Sequence, residues 1–406
     1  MPTPAVLITL SGEDRPGVTA AVTACLARDV RRLVDVEQIV IRTRLTLALL
    51  CEPRTSFQSD VVREALQRIL PGFTVDVSHA AQAHDSEARE LFVVSLLARE
   101  LAPEAMSEVA RAIASVGGNI ERIRRTADYP ITALEFHVTV ARGSASAAAL
   151  RTGLLGSVQH HGIDIAVQRA DLDRRGVRLV VLDVDSTLVQ AEGIDLLAAE
   201  ASVQAQVSDI TAAAMRGELD YADSLKARVR LLAGLPLSAV HRVAQSIELS
   251  PGARTLIRTL RRCGDHVALV SGGFIELIEP HAQELGIHML RANSLQARDG
   301  ILTGEVMEPV LDRAGKAEAL RAFADSVNVP LARTVAIGDG ANDLDMLAAA
   351  GLGIAFNAKP VVRDAADATV SVPYLDAVLY LLGITREQIE DADEREGVVV
   401  QRPSVL

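Results

Sequence analysis

Residues 179 to 188 read Leu-Val-Val-Leu-Asp-Val-Asp-Ser-Thr-Leu, and this stretch predicts the fold of the larger part of the chain. An apolar run that ends in acidic residues is typical of a buried strand of a parallel sheet and the polar loop after it. Side chains two residues apart in a strand point the same way, so we expect Asp183 and Asp185 to lie close together. Open α/β sheets bind ligands at this end of their strands.

The acidic pair permits two interpretations. Two like charges in a crevice raise each other's pKa unless a cation lies between them, and oxygen ligands are those that Mg²⁺ prefers. Asp183 and Asp185 would then supply a metal site, a nucleophilic carboxylate and a proton donor. The alternative is structural, because Asp after an apolar run is also a common helix N-cap or turn residue.

Length and composition limit the class of protein. The chain has 406 residues, 49% of them hydrophobic, and a formal net charge of -12. The length predicts two or three domains, and the negative charge disfavours binding to nucleic acid or to acidic membranes. Three distant cysteines without a zinc pattern favour reduced thiols in protein cores. Without a signal segment or an apolar run near about 18 residues, the sequence predicts a soluble, cytoplasmic protein.

The first 170 residues contain the same pattern twice. Each copy predicts the order β-α-β-β-α-β, and the second follows about 85 residues after the first, which indicates an internal repeat. Two ferredoxin-like domains are therefore expected at 1–84 and 85–172. An α/β domain at 173–385 and a polar tail at 386–406, expected to be a loose end, complete the chain.

The first repeat resembles the ACT family of small-molecule-sensing domains in the loop Asp14-Arg15-Pro16-Gly17-Val18. Gly17 lets a carboxylate or amine approach backbone amides at a helix N-terminus. The resemblance implies an amino-acid effector, such as serine, near Asp14 and Gly17. The matching loop of the second repeat has Pro103 but no Gly, which argues against a ligand there. The alternative for both repeats is structural, with sheet edges that join chains into a homodimer or larger homo-oligomer.

A helical insertion interrupts the α/β domain after the acidic pair. The helical insertion runs from residue 192 to about 248. We therefore expect a cap at about 190–250, directly above the end of the strand. A segment in that position can act as a lid that excludes water from a site.

Three further polar segments follow apolar strands of this domain. Ser271-Gly272-Gly273 precedes a helix and suits phosphate, although it is also an ordinary turn. Lys316 opens a helix; Ala317 replaces the Ser or Thr of a P-loop, and a lone Lys is usually a surface charge. Residues 338–343, Gly-Asp-Gly-Ala-Asn-Asp, offer acid and amide groups for Mg²⁺ and its waters.

Together, Asp-x-Asp-x-Thr at 183–187, Ser271, Lys316 and Gly-Asp-Gly-x-Asn-Asp at 338–343 resemble, in order, the motifs of haloacid dehalogenase-like phosphatases. Residues of the insertion resemble the phosphoserine phosphatases of that superfamily: Glu192, Met215, Tyr221 and Arg228. Tyr221 stands where those enzymes carry Phe. The implied fold is α/β, a Rossmann-like parallel sheet with a helical cap, preceded by two ACT-like domains.

This resemblance implies Mg²⁺-dependent hydrolysis of O-phospho-L-serine to L-serine and phosphate, the last step of serine biosynthesis. Asp183 would form an aspartyl-phosphate, and Asp185 would be the general acid–base. The implied metal ligands are Asp183, Asp339 and, through the Val184-to-Asp185 backbone carbonyl region, Asp185. Implied substrate-binding residues are Ser271, Gly272, Lys316 and Asn342 for the phosphoryl group, Arg228 for the carboxylate, Glu192 for the ammonium group, and Met215 and Tyr221 in the lid. Asp343 would support Lys316 or metal-bound water.

Several alternatives stay open at this point. Glu192 and Arg228 could form a surface charge pair, and Met215 and Tyr221 could be plain lid packing. The substrate could be another small phosphomonoester or a phosphoprotein. A protein of another class, an amino-acid sensor with an inactive phosphatase fold, is disfavoured because Asp183, Asp185, Ser271, Lys316 and Asp339 are all present.

Overall fold

The structure is a computed structural model that describes residues 5–80, 89–141, 147–158, 161–216 and 218–399, with only the backbone for residues 147, 148, 156–158 and 215. Two compact units make up the chain, Met1–Glu87 and Ala88–Leu406. None of the helices in the described ranges is both long and apolar enough to cross a lipid bilayer.

The first unit is a four-stranded antiparallel sheet with two helices. Its elements are β1 (Ala5–Glu13), α1 (Val18–Leu26), β2 (Val30–Ile41), β3 (Arg44–Pro53), α2 (Ser59–Ile69) and β4 (Thr74–Ala80). The strand order is β2-β3-β1-β4, which leaves β2 and β4 at the edges. Strand β1 alternates buried and half-buried residues, as expected when one face packs on helices. The predicted order β-α-β-β-α-β is confirmed.

The second unit begins with the same order of elements. These are β5 (Arg89–Ala98), α3 (Pro103–Ser115), β6 (Asn119–Ala127), β7 (Thr132–Ala141), α4 (Ala147–Val158) and β8 (Asp164–Arg169). The α/β part follows with β9 (Leu179–Leu182), cap helices α5 (Gly193–Glu200), α6 (Gln204–Met215), α7 (Tyr221–Arg230) and α8 (Leu237–Ser246), then α9 (Ala253–Arg262), β10 (His266–Phe274), α10 (Ile275–Leu285), β11 (Met289–Asn293), β12 (Leu295–Arg298) and β13 (Ile301–Val306). It ends with α11 (Arg313–Ser326), β14 (Thr334–Gly338), α12 (Leu344–Ala349), β15 (Leu352–Phe356), α13 (Pro360–Ala365), β16 (Ala368–Val370), α14 (Val378–Leu381) and α15 (Arg386–Arg395).

One ten-stranded sheet runs through the second unit in the order β11-β10-β9-β14-β15-β16-β8-β5-β7-β6. Strands β9 to β11 and β14 to β16 pair in parallel, and β16 meets β8 antiparallel at Ala368 and Ala166. Beside this junction the buried carboxylate of Asp164 accepts hydrogen bonds from the hydroxyls of Thr369 (2.7 Å) and Ser371 (2.8 Å). The second ferredoxin-like part and the α/β part therefore share one sheet.

Strand β9 lies between β10 and β14 and has no exposed surface, which explains its uninterrupted apolar sequence. Because these neighbours are parallel to it, the polar segments after all three strands meet at one edge of the sheet. The hairpin β12–β13 is joined to the cap, since the Gly234 N–H donates to the Leu302 carbonyl (2.9 Å) and the Leu302 N–H to the Leu235 carbonyl (2.9 Å).

Two expectations are wrong. The C-terminal segment is not a loose end over residues 386–395, because α15 buries Ile389 and Asp393 against the domain. The Asp393 carboxylate accepts hydrogen bonds from Arg258 at 2.9 and 2.8 Å; residues 400–406 of the expected tail lie outside the described residues. The sequence predicts that the cysteines lie in protein cores, and this is wrong for Cys263, which is exposed.

Candidate active site

The loop after β9 turns sharply and separates the two carboxylates of the central motif. The Asp183 N–H donates to the Ile337 carbonyl of β14 at 2.8 Å, which continues the sheet by one bond. Ser186 then adopts a left-handed backbone conformation, with φ 56° and ψ 2°, an unusual one for a residue with a side chain. After this turn each carboxylate has its own partners.

Lys316 is the partner of Asp183. Its ammonium group is 1% exposed and donates hydrogen bonds to Asp183 Oδ1 and Asp343 Oδ1, each at 2.7 Å. It lies in the first turn of α11, which is capped by Asp312 through the Gly315 N–H at 2.8 Å. Burial alone would lower the pKa of Lys316, but the two carboxylates outweigh burial and raise it. Lys316 is therefore a fixed buried cation and not a surface charge.

Three carboxylates surround one point at this edge of the sheet. Oxygens of Asp183, Asp339 and Asp343 lie within 4.8 Å of one another. Burial, and then the charge of Asp343, raise the pKa of Asp339 to about 6 and raise that of Asp183 as well. When ionised, the three carboxylates exceed the one positive charge of Lys316 by two, so a divalent cation would balance the cluster. The donor set therefore fits Mg²⁺.

Asp185 points elsewhere. Its Oδ1 accepts a hydrogen bond from the Gly193 N–H at the start of α5 (2.8 Å), and its Oδ2 accepts one from the Ser271 hydroxyl (3.0 Å). A Cβ atom on Gly273 would lie 2.5 Å from Asp185 Oδ2, so only glycine fits there. The side chain of Asp185 thus lies against the cap and the end of β10, and the three-carboxylate cluster contains Asp343.

The end of β10, at residues 271–273, is fixed from several sides. The Ser271 hydroxyl is fully buried and accepts a hydrogen bond from the Gly273 N–H at 2.7 Å. The Gly272 carbonyl accepts bonds from Asn293 Nδ2 (2.9 Å) and from the Tyr221 hydroxyl (3.1 Å). Asn293 Oδ1 in turn accepts from the Leu311 N–H at 2.7 Å. Sequence reasoning missed Asn293, although its place as a polar residue ending an apolar strand was a signal for it.

Helix α7 carries two of the predicted substrate residues about two turns apart, Tyr221 and Arg228. Burial raises the pKa of Tyr221 to about 12. Arg228 is half-buried and donates from Nε to the Ser224 carbonyl of its own helix at 3.3 Å. Throughout the described ranges Arg228 forms no ion pair with a carboxylate, so it is not paired with Glu192 as the surface alternative supposed.

Glu192 lies at the mouth of the site. Its Oε1 accepts a hydrogen bond from the Ser186 hydroxyl at 2.8 Å. The residue as a whole is exposed, yet the protein around its carboxyl group displaces enough water to raise its pKa to about 7, and the charge of Asp185 adds to this effect. Glu192 is thus an acceptor beside the proposed reaction centre whose charge changes near neutral pH.

The remaining predicted residues have mixed positions. The Thr187 hydroxyl donates to Asp339 Oδ1 at 3.3 Å, and Asn342 is half-buried with its Oδ1 2.1 Å from where a Cβ on Gly340 would lie. Met215 ends α6, and its side chain lies outside the described part of the structure. Asp14 and Gly17 lie in the first unit, both exposed, with Gly17 at the start of α1 with φ 93°.

Family models agree with this division of the chain. A model of haloacid dehalogenase-like hydrolases matches residues 180–348. Two models of ACT domains match residues 5–78 and 91–168. The hydrolase match contains all four polar segments of the site, and the ACT matches cover the two ferredoxin-like repeats.

Known proteins resemble the chain over most of its length. It is 49% identical over 391 residues to the phosphoserine phosphatase SerB2 of Mycobacterium tuberculosis, covering 96% of this chain and 95% of that one. It is also 49% identical over 393 residues to the phosphoserine phosphatase of Streptomyces coelicolor, with the same coverage. A crystal structure of a probable phosphoserine phosphatase from Vibrio cholerae superimposes with a TM-score of 0.55 at 30% identity, covering 74% of this chain and 88% of that one. The chain therefore belongs to the phosphoserine phosphatase family of haloacid dehalogenase-like hydrolases, with two ACT domains in front of the hydrolase domain.

Proposed function

We propose that the chain hydrolyses O-phospho-L-serine to L-serine and phosphate with Mg²⁺ as cofactor, the reaction that ends serine biosynthesis. The observation that carries the proposal is the buried Asp183 carboxylate, held 2.7 Å from the Lys316 ammonium group and beside Asp339. Phosphate monoesters react very slowly in water, and positioned charges supply most of the acceleration that enzymes achieve.

Asp183, Asp339 and the backbone carbonyl of Asp185 would hold the Mg²⁺ ion, with Asp343 beside them. When bound, the ion would neutralise charge on the phosphoryl oxygens. Asp343 also fixes Lys316, and its Oδ2 accepts a hydrogen bond from the Gly340 N–H at 3.1 Å. The main role of Asp343 would therefore be to hold Lys316 in position.

The chemistry takes place in two steps. An oxygen of Asp183 attacks phosphorus, the bond from phosphorus to the serine oxygen breaks, and the proton of Asp185 moves to that oxygen. Water then attacks the aspartyl-phosphate, gives a proton to Asp185, and releases phosphate with the Asp183 carboxylate restored. A general acid–base of this kind contributes roughly 10²–10⁴-fold to the rate.

The phosphoryl group would be bound by Ser271, the Gly272 amide, Lys316 and Asn342. Lys316 suits this role because it is a permanent buried cation already aligned with the nucleophile. In the structure the Ser271 proton is donated to Asp185. When a phosphoryl oxygen takes that proton, the Ser271 oxygen keeps a lone pair for the protonated Asp185, which holds the proton that the serine oxygen receives.

Recognition of serine would fall to the cap and the mouth of the site. Arg228 has two terminal nitrogens that match a carboxylate in a bidentate pair, and Glu192 would accept the ammonium group. The ammonium charge would also lower the raised pKa of Glu192, which favours the ionised acceptor. Met215 and Tyr221 would close the lid over the substrate.

A substrate panel tests the proposal. The full chain is assayed with O-phospho-L-serine, O-phospho-L-threonine, a phosphoserine peptide and an aryl phosphate, each with Mg²⁺ or with EDTA. We expect phosphoserine to have the highest kcat/KM and EDTA to abolish turnover of all four. Rapid turnover of another phosphate ester without turnover of phosphoserine would contradict the proposed substrate.

We further propose that the first ACT domain binds an amino acid such as serine. Gly17 supports this, because it is exposed with no atom within 4 Å of where a Cβ would be, so its backbone is open to a ligand. Calorimetry of the full chain with L-serine tests it, with Asp14→Ala expected to weaken binding and Glu13→Ala as the adjacent exposed control. No heat with any amino acid would leave a structural role alone.

We also propose that copies of the chain associate through β2. This edge strand has apolar residues between 40% and 65% exposed: Leu33, Val34, Val36, Ile39, Val40 and Ile41. An uncovered apolar edge favours pairing with another chain. Sedimentation analysis should find a homo-oligomer that Ile39→Asp dissociates, whereas Val61→Asp, at an exposed apolar position of α2, should leave it intact. A monomeric wild type would contradict this assignment.

A further inference from the structure

A continuous series of hydrogen bonds runs from the cap to the carboxylate of Asp185. The Tyr221 hydroxyl of α7 donates to the Gly272 carbonyl at 3.1 Å. That carbonyl and the Gly273 N–H are the two ends of one planar peptide group. The Gly273 N–H donates to the Ser271 hydroxyl at 2.7 Å, and Ser271 donates to Asp185 Oδ2 at 3.0 Å. The cap and the proposed general acid are thus joined through one peptide and one hydroxyl.

The donors and acceptors of this series are in a consistent order. A serine hydroxyl has one proton to donate. Because the Gly273 N–H bonds to the Ser271 oxygen, the hydroxyl proton is directed to another acceptor, and Asp185 Oδ2 is that acceptor. The tilt of the Gly272–Gly273 peptide therefore sets the orientation of Ser271, and Ser271 sets that of Asp185.

The Gly272 carbonyl is held by two donors with different origins. Asn293 belongs to the sheet domain, at the end of β11, and its Nδ2 donates to the Gly272 carbonyl at 2.9 Å. Tyr221 is the donor that arrives with the cap. The hydroxyl fits only because residue 272 is glycine, since a Cβ atom there would lie 2.2 Å from it. Only the hydroxyl of Tyr221, and not its ring, can complete this pair of bonds.

We propose that the Tyr221 hydroxyl is a positioning group for the reaction. When the cap closes, it fixes the Gly272–Gly273 peptide and, through Ser271, aligns Asp185 with the oxygen that leaves with serine. This inference rests on the proposed function, because it requires Asp185 to be the proton donor to that oxygen. Closure of the cap over the substrate and alignment of Asp185 would then occur together.

The inference predicts a loss that depends on the leaving group. The serine oxygen must receive a proton as its bond to phosphorus breaks, whereas an aryloxide such as p-nitrophenolate leaves without one. Removing the Tyr221 hydroxyl should lower kcat for phosphoserine about three- to tenfold, the effect of one uncharged hydrogen bond. KM for phosphoserine and the rate of p-nitrophenolate release in the first turnover should change little.

The experiment compares Tyr221→Phe with wild type and with Tyr129→Phe, which removes the hydroxyl of a tyrosine far along the chain whose ring centroid lies 5.7 Å from the Arg386 guanidinium carbon. Steady-state rates are measured with both substrates, and rapid-quench measurement of serine or p-nitrophenolate release reports the first bond-breaking step. A slower first turnover confined to Tyr221→Phe and to phosphoserine supports the inference. Equal first-turnover losses with both substrates, a rise in KM alone, a loss confined to later turnovers, or no change would overturn it. A wild type without phosphoserine turnover would instead contradict the proposed function.

Discussion

Carboxylate oxygens of Asp183 and Asp339 lie within 4.8 Å of each other, although 156 positions separate the two residues in the sequence. They follow β9 and β14, which are paired at the centre of the parallel part of the sheet. Their proximity is therefore set by the backbone and not by flexible side chains. When ionised, Asp183, Asp339 and Asp343 together carry more negative charge than Lys316 can balance, so the cluster needs a further positive charge.

Removal of one carboxylate from this cluster should weaken metal binding. Asp339→Asn is expected to raise the Mg²⁺ concentration for half-maximal activity by about tenfold or more, since a neutral amide is a weaker ligand than a carboxylate. Activity should be partly restored at high Mg²⁺. Titration of phosphoserine turnover with Mg²⁺ measures this. Asp345→Asn, on the surface just after the same loop, is the control, and an equal shift in that variant would argue against the cluster as the metal site.

Arg228 should matter only for substrates with a carboxylate. Loss of a charge-assisted pair corresponds to about 10- to 100-fold in binding, so Arg228→Ala should raise KM for phosphoserine by that order and leave an aryl phosphate little affected. Arg230→Ala removes an exposed arginine from the same helix and serves as the control. If Arg228→Ala raises KM equally for both substrates, Arg228 supports the fold of the cap and does not bind the substrate carboxylate.

Glu192 should make substrate binding depend on pH. Its pKa is raised to about 7, so it is ionised and able to accept an ammonium group above that pH and is increasingly protonated below it. KM for phosphoserine should therefore rise as the pH falls from 8 to 6, through about 7, and Glu192→Gln should have a higher KM with less of this dependence. Because phosphoserine itself titrates in the range, the comparison is between variants at each pH. The same pH profile in wild type and Glu192→Gln would exclude the ammonium role.

The stability of the protein should respond to the same carboxyl group. The folded-state pKa lies above the value of about 4.3 for an unfolded glutamate, so the folded state binds this proton more tightly. Ionisation of Glu192 then disfavours the folded state as the pH rises from about 4.3 to 7. Thermal unfolding without substrate should show a smaller loss of Tm over this range in Glu192→Gln than in wild type. A larger loss in the variant would mean that the pKa is lowered, not raised.

Much of the site could be predicted from local sequence. Three strand ends could be located from the apolar run before Asp183 and from the polar segments at Ser271 and Asp339. Parallel pairing of the strands then brings these ends to one edge of the sheet. Lys316 could not be distinguished from a surface charge by pattern alone. Its burial depends on Asp183 and Asp343, which approach it only in the folded sheet.

Other features depend on contacts that no local pattern contains. Alternation in a strand placed the side chains of Asp183 and Asp185 together, but β9 ends at Leu182, and the loop that follows it directs Asp185 to Ser271. The antiparallel contact of β8 with β16 joins segments about 200 residues apart in sequence, beyond the reach of periodicity. The acidic composition of α15 predicted a loose end, whereas Arg258 and Arg262 anchor it through Asp393.

Identification of the phosphorylated residue tests the central claim most directly. The full chain with Mg²⁺ is mixed with phosphoserine and acid-quenched within the first turnover. Borohydride then reduces the phosphorylated aspartate to homoserine with release of phosphate, and mass spectrometry locates the homoserine and so the residue that carried the phosphoryl group. We predict one phosphoryl group on Asp183, and neither phosphoenzyme nor serine release in a folded Asp183→Asn variant. A phosphoryl group on another residue, or normal turnover by Asp183→Asn, would contradict the account.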